Sequence, residues 1–262
     1  MRALVDLAPE EHIVYLGDTG RYPYGSKPLD EVERFAIEIA DHLVANFDAK
    51  MIVVACNTAS AAALKTLEST LDIPVLGVID PGARAMLRAT RSGKVGVVGT
   101  VGTISSGTYQ RSVAEAIVPL CPDGSEMNVE LTCAACPGFV EFVERGELDS
   151  DQVHVLAERL LKPLHDAAID TLLLGCTHYP FLARTIGTVI GSEVVLVSSA
   201  EETAFEVREV LRSLGLARRG LGSLRFISSG NVSLFKELGT RLLGMDIVDV
   251  EQVVWPDPPA SA

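Results

Sequence analysis

The sequence is short of positive charge. Its 262 residues include 22 lysines and arginines against 35 aspartates and glutamates, and the net charge is −13. Arg218-Arg219 is the only pair of adjacent basic residues. Nucleic-acid binding needs a basic surface that neutralises phosphates, so this composition argues against a nucleic-acid partner. An anionic metabolite would have to be held by local N–H groups and hydroxyls.

The sequence also lacks long apolar runs. None approaches the roughly 20 residues that a membrane-spanning helix needs, which predicts no membrane partner. The first residues carry charges at Arg2 and Asp6 and do not resemble a signal peptide. The five cysteines, an odd number without secretory context, indicate free thiols in a reducing compartment. We therefore predict a cytoplasmic protein.

A second pair of closely spaced cysteines is missing. Cys133-Ala134-Ala135-Cys136 is a lone C-x-x-C pair, whereas a structural zinc site needs two more ligands at comparable spacing. Metal binding or redox chemistry remains an alternative for this pair. We favour a structural or incidental role and predict no metal site.

Apolar runs typical of strands alternate with helical periodicity over nearly the whole length, which predicts a mainly parallel sheet with helices on its faces. The predicted strands are His12–Leu16, Met51–Ala55, Pro74–Val78, Lys94–Val98, Thr171–Leu174, Glu193–Val197, Leu224–Ile227 and Met245–Val250. The predicted helices are Leu29–Phe47, Thr58–Leu71, Pro81–Arg91, Ser105–Ile117, Ser150–Ala167, Tyr179–Ile190, Ala200–Leu214 and Val232–Leu243. A helix over Arg2–Ala8 is predicted to end at Pro9.

Two cysteines occur in matching settings. Cys56 ends the apolar run Met51–Ala55, Cys176 ends the run Thr171–Gly175, and a polar residue that favours a helix N-cap follows each of them. Open α/β sheets place their binding crevices at such strand ends. A helix N-terminus favours thiolate, so we expect the pKa of both thiols to lie below the usual value of about 8.5. Each cysteine alone could be a small buried hydrophobe, but the pair indicates an acid/base couple.

Three other segments carry candidate site residues. His178 lies two positions after Cys176 and is predicted to act as a general base or to orient that thiol. Tyr22-Pro23-Tyr24-Gly25 is either plain turn chemistry or a source of N–H groups for a substrate carboxylate. Gly99–Gly107 lacks the lysine of a phosphate-binding loop, so its hydroxyls and N–H groups suit a carboxylate better.

These motifs together resemble bacterial glutamate racemases of the aspartate/glutamate racemase superfamily, from Leu4 to about Asp249. The resemblance rests on Ala55-Cys56-Asn57-Thr58-Ala59-Ser60, Gly175-Cys176-Thr177-His178-Tyr179, Gly17-Asp18-Thr19 with Tyr22-Pro23-Tyr24-Gly25, and Gly77-Val78-Ile79-Asp80-Pro81-Gly82. His178 and Ser60 favour glutamate over aspartate, because the family's aspartate racemases typically carry other residues there. Aspartate racemase and a binding protein without turnover remain the alternatives.

The resemblance implies racemisation of L- and D-glutamate without pyridoxal phosphate or metal, supplying D-glutamate for peptidoglycan. It implies that Cys56 acts on the D-glutamate face and Cys176 on the L-glutamate face. The substrate-binding residues that it implies are Tyr24, Gly25, Asn57, Thr58, Thr100, Thr103, Thr177 and His178, with Glu144 near the histidine. It also implies a possible homodimer.

The implied architecture is two facing α/β domains of similar fold, each a mainly parallel sheet flanked by helices, with the active site in the cleft between them. We predict a first domain of residues 1–93 plus 198–255, a second domain of residues 94–197, and a disordered tail at 256–262.

One departure from the family concerns the start of the sequence. The family opens with a strand that carries Asp-Ser-Gly, whose Asp lies near the first cysteine, and Met1-Arg2-Ala3-Leu4 matches the helix that follows this strand. We therefore expect this chain to be less active than an N-terminally extended form; equal turnover by both forms would refute that.

Overall fold

The computed structural model of the protein describes residues 1–120 and 127–256, which alternate between strands and helices along the chain. The strands are β1 (His12–Gly17), β2 (Ile52–Val54), β3 (Val75–Gly77), β4 (Lys94–Gly99), β5 (Glu130–Ala135), β6 (Thr171–Gly175), β7 (Val195–Val197), β8 (Ser223–Ser228) and β9 (Val250–Gln252). The α-helices are α1 (Arg2–Leu7), α2 (Leu29–Phe47), α3 (Asn57–Thr70), α4 (Ile79–Ala89), α5 (Val101–Ser105), α6 (Thr108–Ile117), α7 (Phe139–Arg145), α8 (Asp151–Asp166), α9 (Ala183–Ile190), α10 (Ala200–Ser213) and α11 (Val232–Leu243). Short 3₁₀ turns cover Val118–Leu120 and Tyr179–Leu182.

The strands form three parallel sheets. Their orders are β5-β4-β6-β7, β1-β8-β9 and β2-β3, and every strand pair is parallel. The prediction of a mainly parallel α/β fold is thus confirmed. The four-stranded sheet uses only residues between 94 and 197, and the other two sheets use residues on either side of that range. The predicted division into two domains, residues 1–93 plus 198–255 and residues 94–197, stays a prediction.

Strand β6 shows why the four-stranded sheet is covered on both faces. Side chains alternate across a strand, so Leu172 and Leu174 join one buried cluster and Leu173 joins another. The first cluster contains the apolar side of α8, and the second contains that of α4 and α6. A strand buried on both faces needs a continuous apolar run, which is the pattern in the sequence.

The other two sheets have separate cores. Helix α2 packs Val32, Ala36 and Ala40 against β2, α3 and β3. Phe226, Phe235 and Ile247 form a smaller cluster that includes the partly buried Tyr15 of β1. A cavity of about 510 Å³ lies between β1 and the end of α2, and none of the predicted site residues lines it.

Several predicted boundaries are wrong for local reasons. The helix predicted over Ser105–Ile117 is α6, which begins at Thr108 because Gly107 before it has a φ of 66°, outside helical geometry. The preceding helix α5, at Val101–Ser105, was not predicted. The helix predicted over Tyr179–Ile190 begins with a 3₁₀ turn before α9. The strand predicted over Met245–Val250 is β9, at Val250–Gln252. Strand β5 and helix α7 were not predicted.

The predicted helix at the start is confirmed as α1, which ends before Pro9. Of the tail predicted at 256–262, residues 257–262 lie outside the described part of the chain. Within the described residues, no helix has the length and apolar character required to cross a membrane.

Candidate active site

Cys56 lies where β2 passes into α3. It is the N-cap residue of α3, and the backbone N–H groups of Thr58 and Ala59 face its thiol together with the Thr58 hydroxyl. The first N–H groups of a helix have no partner within the helix, so they are available to a thiolate. The predicted position of this thiol, at a strand end and a helix start, is therefore confirmed.

Cys176 has the matching position after β6. Its thiol is buried, and the N–H groups of His178 and Tyr179 face it, with the Thr177 hydroxyl as a further donor. A 3₁₀ turn rather than an α-helix follows directly. The cysteine's setting thus matches that of Cys56 in its donors, although the helix that supplies them is shorter than predicted.

The expected low thiol pKa is wrong for the free protein. Burial raises the pKa of Cys56 and raises the pKa of Cys176 to about 12, and in each case the surrounding N–H donors offset only part of the increase. Desolvation penalises the charged thiolate, and here this penalty is larger than the stabilisation of the thiolate by the N–H groups at the helix start. Negative charge on Cys56 raises the pKa of Cys176 further. Ionisation of Cys56 therefore opposes ionisation of Cys176.

The raised pKa of Cys176 predicts a pH dependence of stability. An unfolded thiol ionises near pH 8.5, whereas the folded one keeps its proton to about pH 12, so in this window the unfolded state binds fewer protons. The stabilising contribution is complete below about pH 8.5 and is lost as the pH rises toward 12. Urea unfolding at a series of pH values should show that the free energy of unfolding falls as the pH rises above 9. In Cys176→Ala this fall should be smaller by about 1.4 kcal/mol per pH unit. Leu174→Val, a nearby apolar change without a titrating group, should leave that slope unchanged; an unchanged slope in Cys176→Ala would contradict the assignment.

Three threonine hydroxyls meet between α3 and α5. The Oγ1 atom of Thr58 lies 2.9 Å from that of Thr100 and 3.1 Å from that of Thr103, and the latter two are 2.9 Å apart. Thr100 also caps α5 by accepting the N–H of Thr103. The contacts join the β2-β3 part of the molecule to the four-stranded sheet. Thr103 is fully buried and its hydroxyl is used inside this triangle, whereas Thr100 retains 9% exposure.

The turn at Tyr24 and Gly25 packs on the same threonines. Gly25 accepts the N–H of Gly102 at 2.9 Å, and a Cβ at Gly25 would lie 2.7 Å from Thr100 Cβ. No side chain fits at this close approach, which explains the glycine. The structure therefore brings Gly25, Thr58, Thr100 and Thr103 together as predicted.

Asp18 holds this turn, a role that the sequence did not indicate, although Asp18 belongs to the Gly17-Asp18-Thr19 motif. Its carboxylate accepts the Tyr24 hydroxyl, Arg21 Nε at 2.8 Å, Ser229 Oγ at 2.5 Å and Trp255 Nε1 at 2.7 Å. Burial and Asp18 raise the pKa of Tyr24 above its usual 10, so its hydroxyl stays protonated and committed to Asp18. The aspartate directly follows β1, and that position at a strand end was the available signal.

His178 lies beside Glu144 of α7. His178 Nε2 is 3.3 Å from Glu144 Oε1, and Nδ1 is 3.3 Å from the Thr177 hydroxyl. Thr177 is exposed and His178 is partly exposed. Tyr22 donates its hydroxyl to Glu144 Oε2 at 3.1 Å. The predicted proximity of Glu144 and His178 is present, and it depends on α7, which was not predicted.

Tyr109 connects the surroundings of the two cysteines. Its hydroxyl accepts Asn57 Nδ2 at 2.8 Å, and it packs against Gly175, so it lies between the neighbours of Cys56 and Cys176. The ring is buried, and burial raises the pKa of its phenol. Tyr109 appears in the sequence only as one of several apolar positions of a helix, which gave no sign of this contact.

Ser60 has a structural role. It is buried, donates to Val54 O at 2.8 Å and accepts the N–H of Val78 at 3.3 Å, so it ties β2 to the start of α4. These contacts of Ser60 do not explain the expectation that it favours glutamate. The expected preference for glutamate over aspartate therefore depends on His178.

The C-x-x-C pair is not bridged. Cys133 lies in β5 and Cys136 directly follows it, and both are free thiols. Burial raises the pKa of Cys133 to about 11 and that of Cys136 to about 12, so both are thiols rather than thiolates at neutral pH. In the described ranges, 1–120 and 127–256, no group of three or more His, Cys, Asp or Glu side chains is arranged to hold a metal ion.

The fold and the paired cysteines agree with the family to which this chain belongs. The profile of the family described as Asp/Glu/Hydantoin racemase matches residues 1–205. The chain is a member of this family of amino-acid racemases and related isomerases.

Individual relatives narrow the comparison. The chain is 47% identical to a glutamate racemase of Geobacter metallireducens over 255 residues, covering 97% of this chain and 91% of the relative. Among solved structures, a glutamate racemase of Bacillus anthracis superposes with a TM-score of 0.87 at 38% identity and covers 98% of this chain and 92% of its own. A glutamate racemase of Francisella tularensis in complex with D-glutamate superposes with a TM-score of 0.86 at 29% identity. The match covers 96% of this chain and 91% of the Francisella chain.

Proposed function

We propose that this protein interconverts L- and D-glutamate by moving the α-proton between two thiols, without pyridoxal phosphate or metal. Cys176 removes the proton from L-glutamate, and Cys56 removes it from D-glutamate. The observation that carries the proposal is the matching position of the two thiols, each at the end of a buried strand and each facing the N–H groups of the two or three residues that follow it. The names of the relatives at 47% and 38% identity support glutamate as the substrate.

The proton balance follows from the coupling of the thiols. The reaction starts with one cysteine as thiolate and the other as thiol. The thiolate takes the α-proton and leaves a carbanion, and the opposite thiol then protonates the other face and becomes the thiolate. One proton leaves the substrate and one returns, so the total charge of the pair is unchanged. Repulsion between two thiolates opposes a second ionisation, so the pair carries no more than one charge at any point of this sequence.

Burial of the thiols serves the same chemistry. The α-proton of an amino acid is much less acidic than any thiol, so a base with a raised pKa narrows the gap that the transfer must cross. The N–H groups and hydroxyls at the two helix starts are fixed before the reaction and stabilise charge as it forms. Exclusion of water strengthens these interactions.

The binding residues divide into direct and supporting roles. We assign Thr100, Asn57, Thr177 and His178 to direct contacts with the substrate, together with backbone groups of Gly25. Thr58 and Thr103 hold Thr100 in place, since their hydroxyls are buried and bonded to it. Tyr24 positions the turn through Asp18. The homodimer and the cytoplasmic location suggested by the sequence stay predictions.

The test is racemisation of L-glutamate by this chain without added cofactor, followed by circular dichroism. The optical signal should decay to zero as the mixture becomes racemic. L-aspartate is one methylene shorter and should be turned over about 10- to 200-fold less efficiently, which is the discrimination that one methylene usually supports. In His178→Glu this preference should weaken. Faster turnover of aspartate by the unmodified chain would contradict the assignment.

A further inference from the structure

The C-terminal end of α7 is held by two residues from outside the four-stranded part of the molecule. Tyr22, in the loop after β1, donates its hydroxyl to the Glu144 carboxylate at 3.1 Å. Arg241, in α11, donates from Nη2 to the backbone carbonyl of Glu144 at 2.6 Å and contacts that of Val143 at 3.4 Å. Tyr22 follows β1 and Arg241 lies between β8 and β9, so both contacts join α7 to chain segments next to the β1-β8-β9 sheet.

Each of the two donors matches the group that it binds at the end of α7. The last carbonyls of a helix have no partner within the helix and carry partial negative charge, which a guanidinium satisfies. The Arg241 guanidinium also lies against Gly146, the residue that ends α7. The nearby carboxylate and partial burial raise the pKa of Tyr22 above 10, so its phenol remains a donor at neutral pH.

The Glu144 carboxylate is thereby divided between two partners. Its Oε2 atom accepts the Tyr22 hydroxyl, and its Oε1 atom lies 3.3 Å from His178 Nε2. Fixing one oxygen restricts rotation of the carboxylate, and this keeps the other oxygen directed at the imidazole. A proton on Nε2 then faces the carboxylate, and Nδ1 is left to accept from the Thr177 hydroxyl at 3.3 Å.

We propose that Tyr22 and Arg241 are positioning residues that set the ring orientation and tautomer of His178 by holding Glu144. The loop that carries Tyr22 also carries Gly25, which contacts Thr100 at the other end of the site. One loop thus contacts both the threonine cluster and Glu144. The inference rests on the proposed function, in which His178 contacts the substrate.

The first test reads the imidazole directly by ¹⁵N NMR, with the His178 signals assigned from their loss in His178→Gln. The unmodified protein should show the tautomer with its proton on Nε2. Tyr22→Phe removes only the hydroxyl, and it should give a mixture of tautomers, as should Arg241→Met. Arg241→Lys should restore most of the original signal because an ammonium also binds the carbonyls. Arg111→Met is the matched control: Arg111 donates to the Ser106 carbonyl close by in its own segment, and its loss should leave His178 unchanged.

The second test is kinetic. Tyr22→Phe should lower kcat for glutamate about 5-fold with KM changed less than about twofold, the effect of losing roughly one hydrogen bond in the transition state. In a Glu144→Gln background the same change should have no further effect, because both residues act on one group. Unaltered imidazole signals in both folded variants would overturn the proposal, as would an undiminished Tyr22→Phe effect in the Glu144→Gln background. Absence of glutamate turnover in the unmodified chain would refute the proposed function alone, since the NMR result does not depend on it.

Discussion

Replacing Cys176 by alanine should reduce racemisation of glutamate in both directions by at least about 10³-fold, and Cys56→Ala should do the same. Each direction needs a base on one face and an acid on the other, and a positioned acid or base commonly contributes 10²- to 10⁴-fold. The structure gives each thiol its own donors and its own strand end, so neither can take the other's place. Circular dichroism measures the loss.

The two variants should differ in deuterated water. The thiol that remains can remove the α-proton from its own face and return a deuteron to that face. Cys176→Ala retains Cys56 and should exchange the α-proton of D-glutamate only, whereas Cys56→Ala should exchange that of L-glutamate only. Loss of the α-proton signal in ¹H NMR reports the exchange. Exchange of both enantiomers by a single-thiol variant would show that one base serves both faces.

Cys133→Ala is the matched control for these measurements. It removes a partly buried free thiol from β5 and should leave racemisation and exchange within about twofold of the unmodified protein. A large loss of activity in this variant would place a third thiol in the mechanism and contradict the two-thiol assignment.

Replacing Asp18 by alanine should lower the free energy of unfolding by about 3 kcal/mol. The carboxylate is 5% exposed and accepts hydrogen bonds from four donors, including Arg21. Removing one partner of a buried charge pair leaves the other uncompensated, and this typically costs 3 to 5 kcal/mol. Arg21 retains its pair with Glu38, which keeps the expected cost at the lower limit. Urea unfolding provides the measurement.

The control for Asp18 is the exposed pair of Arg2 and Asp6. Its side chains are 55% and 58% exposed, so Asp6→Ala should change the free energy of unfolding by less than about 0.5 kcal/mol. Asp18→Ala should also raise KM for glutamate, because Tyr24 and Gly25 lose their support. A stability change as small as that of the control would mean that the Asp18 contacts are not coupled to folding.

The sequence predicted the elements whose apolar pattern is continuous. Strands β4 and β6 and helices α2 and α11 were placed to within a residue, because a fully buried strand and a long amphipathic helix each leave a clear period. Strand β5 was missed because a glutamate and two alanines give it little β-propensity and because the C-x-x-C pair that begins in it suggested a motif instead. Helix α7 was missed because seven residues hold too few turns to establish a period.

The site was predictable where a residue follows a strand. Cys56, Cys176 and Thr100 follow β2, β6 and β4, so their approximate positions came from the pattern. The pKa of the thiols was not predictable, because burial depends on what packs against them. The rise in pKa that burial causes is larger than the lowering by the N–H donors at the helix start. Trp255 and Arg241 could not be recognised either, since their partners lie far away in the chain.

The proposed two-thiol transfer leaves the protein in a different protonation state after each turnover. A thiol pair that shares one proton has two arrangements, one suited to each enantiomer. When L-glutamate has been converted to D-glutamate, Cys176 carries the proton and Cys56 is the thiolate. This is the arrangement that the reverse reaction requires. Before the protein accepts another L-glutamate, that proton must return. At high substrate concentration, the return of this proton in the free enzyme can therefore limit the rate, rather than formation of the carbanion. The protonation state of the free enzyme then depends on the direction of its last turnover.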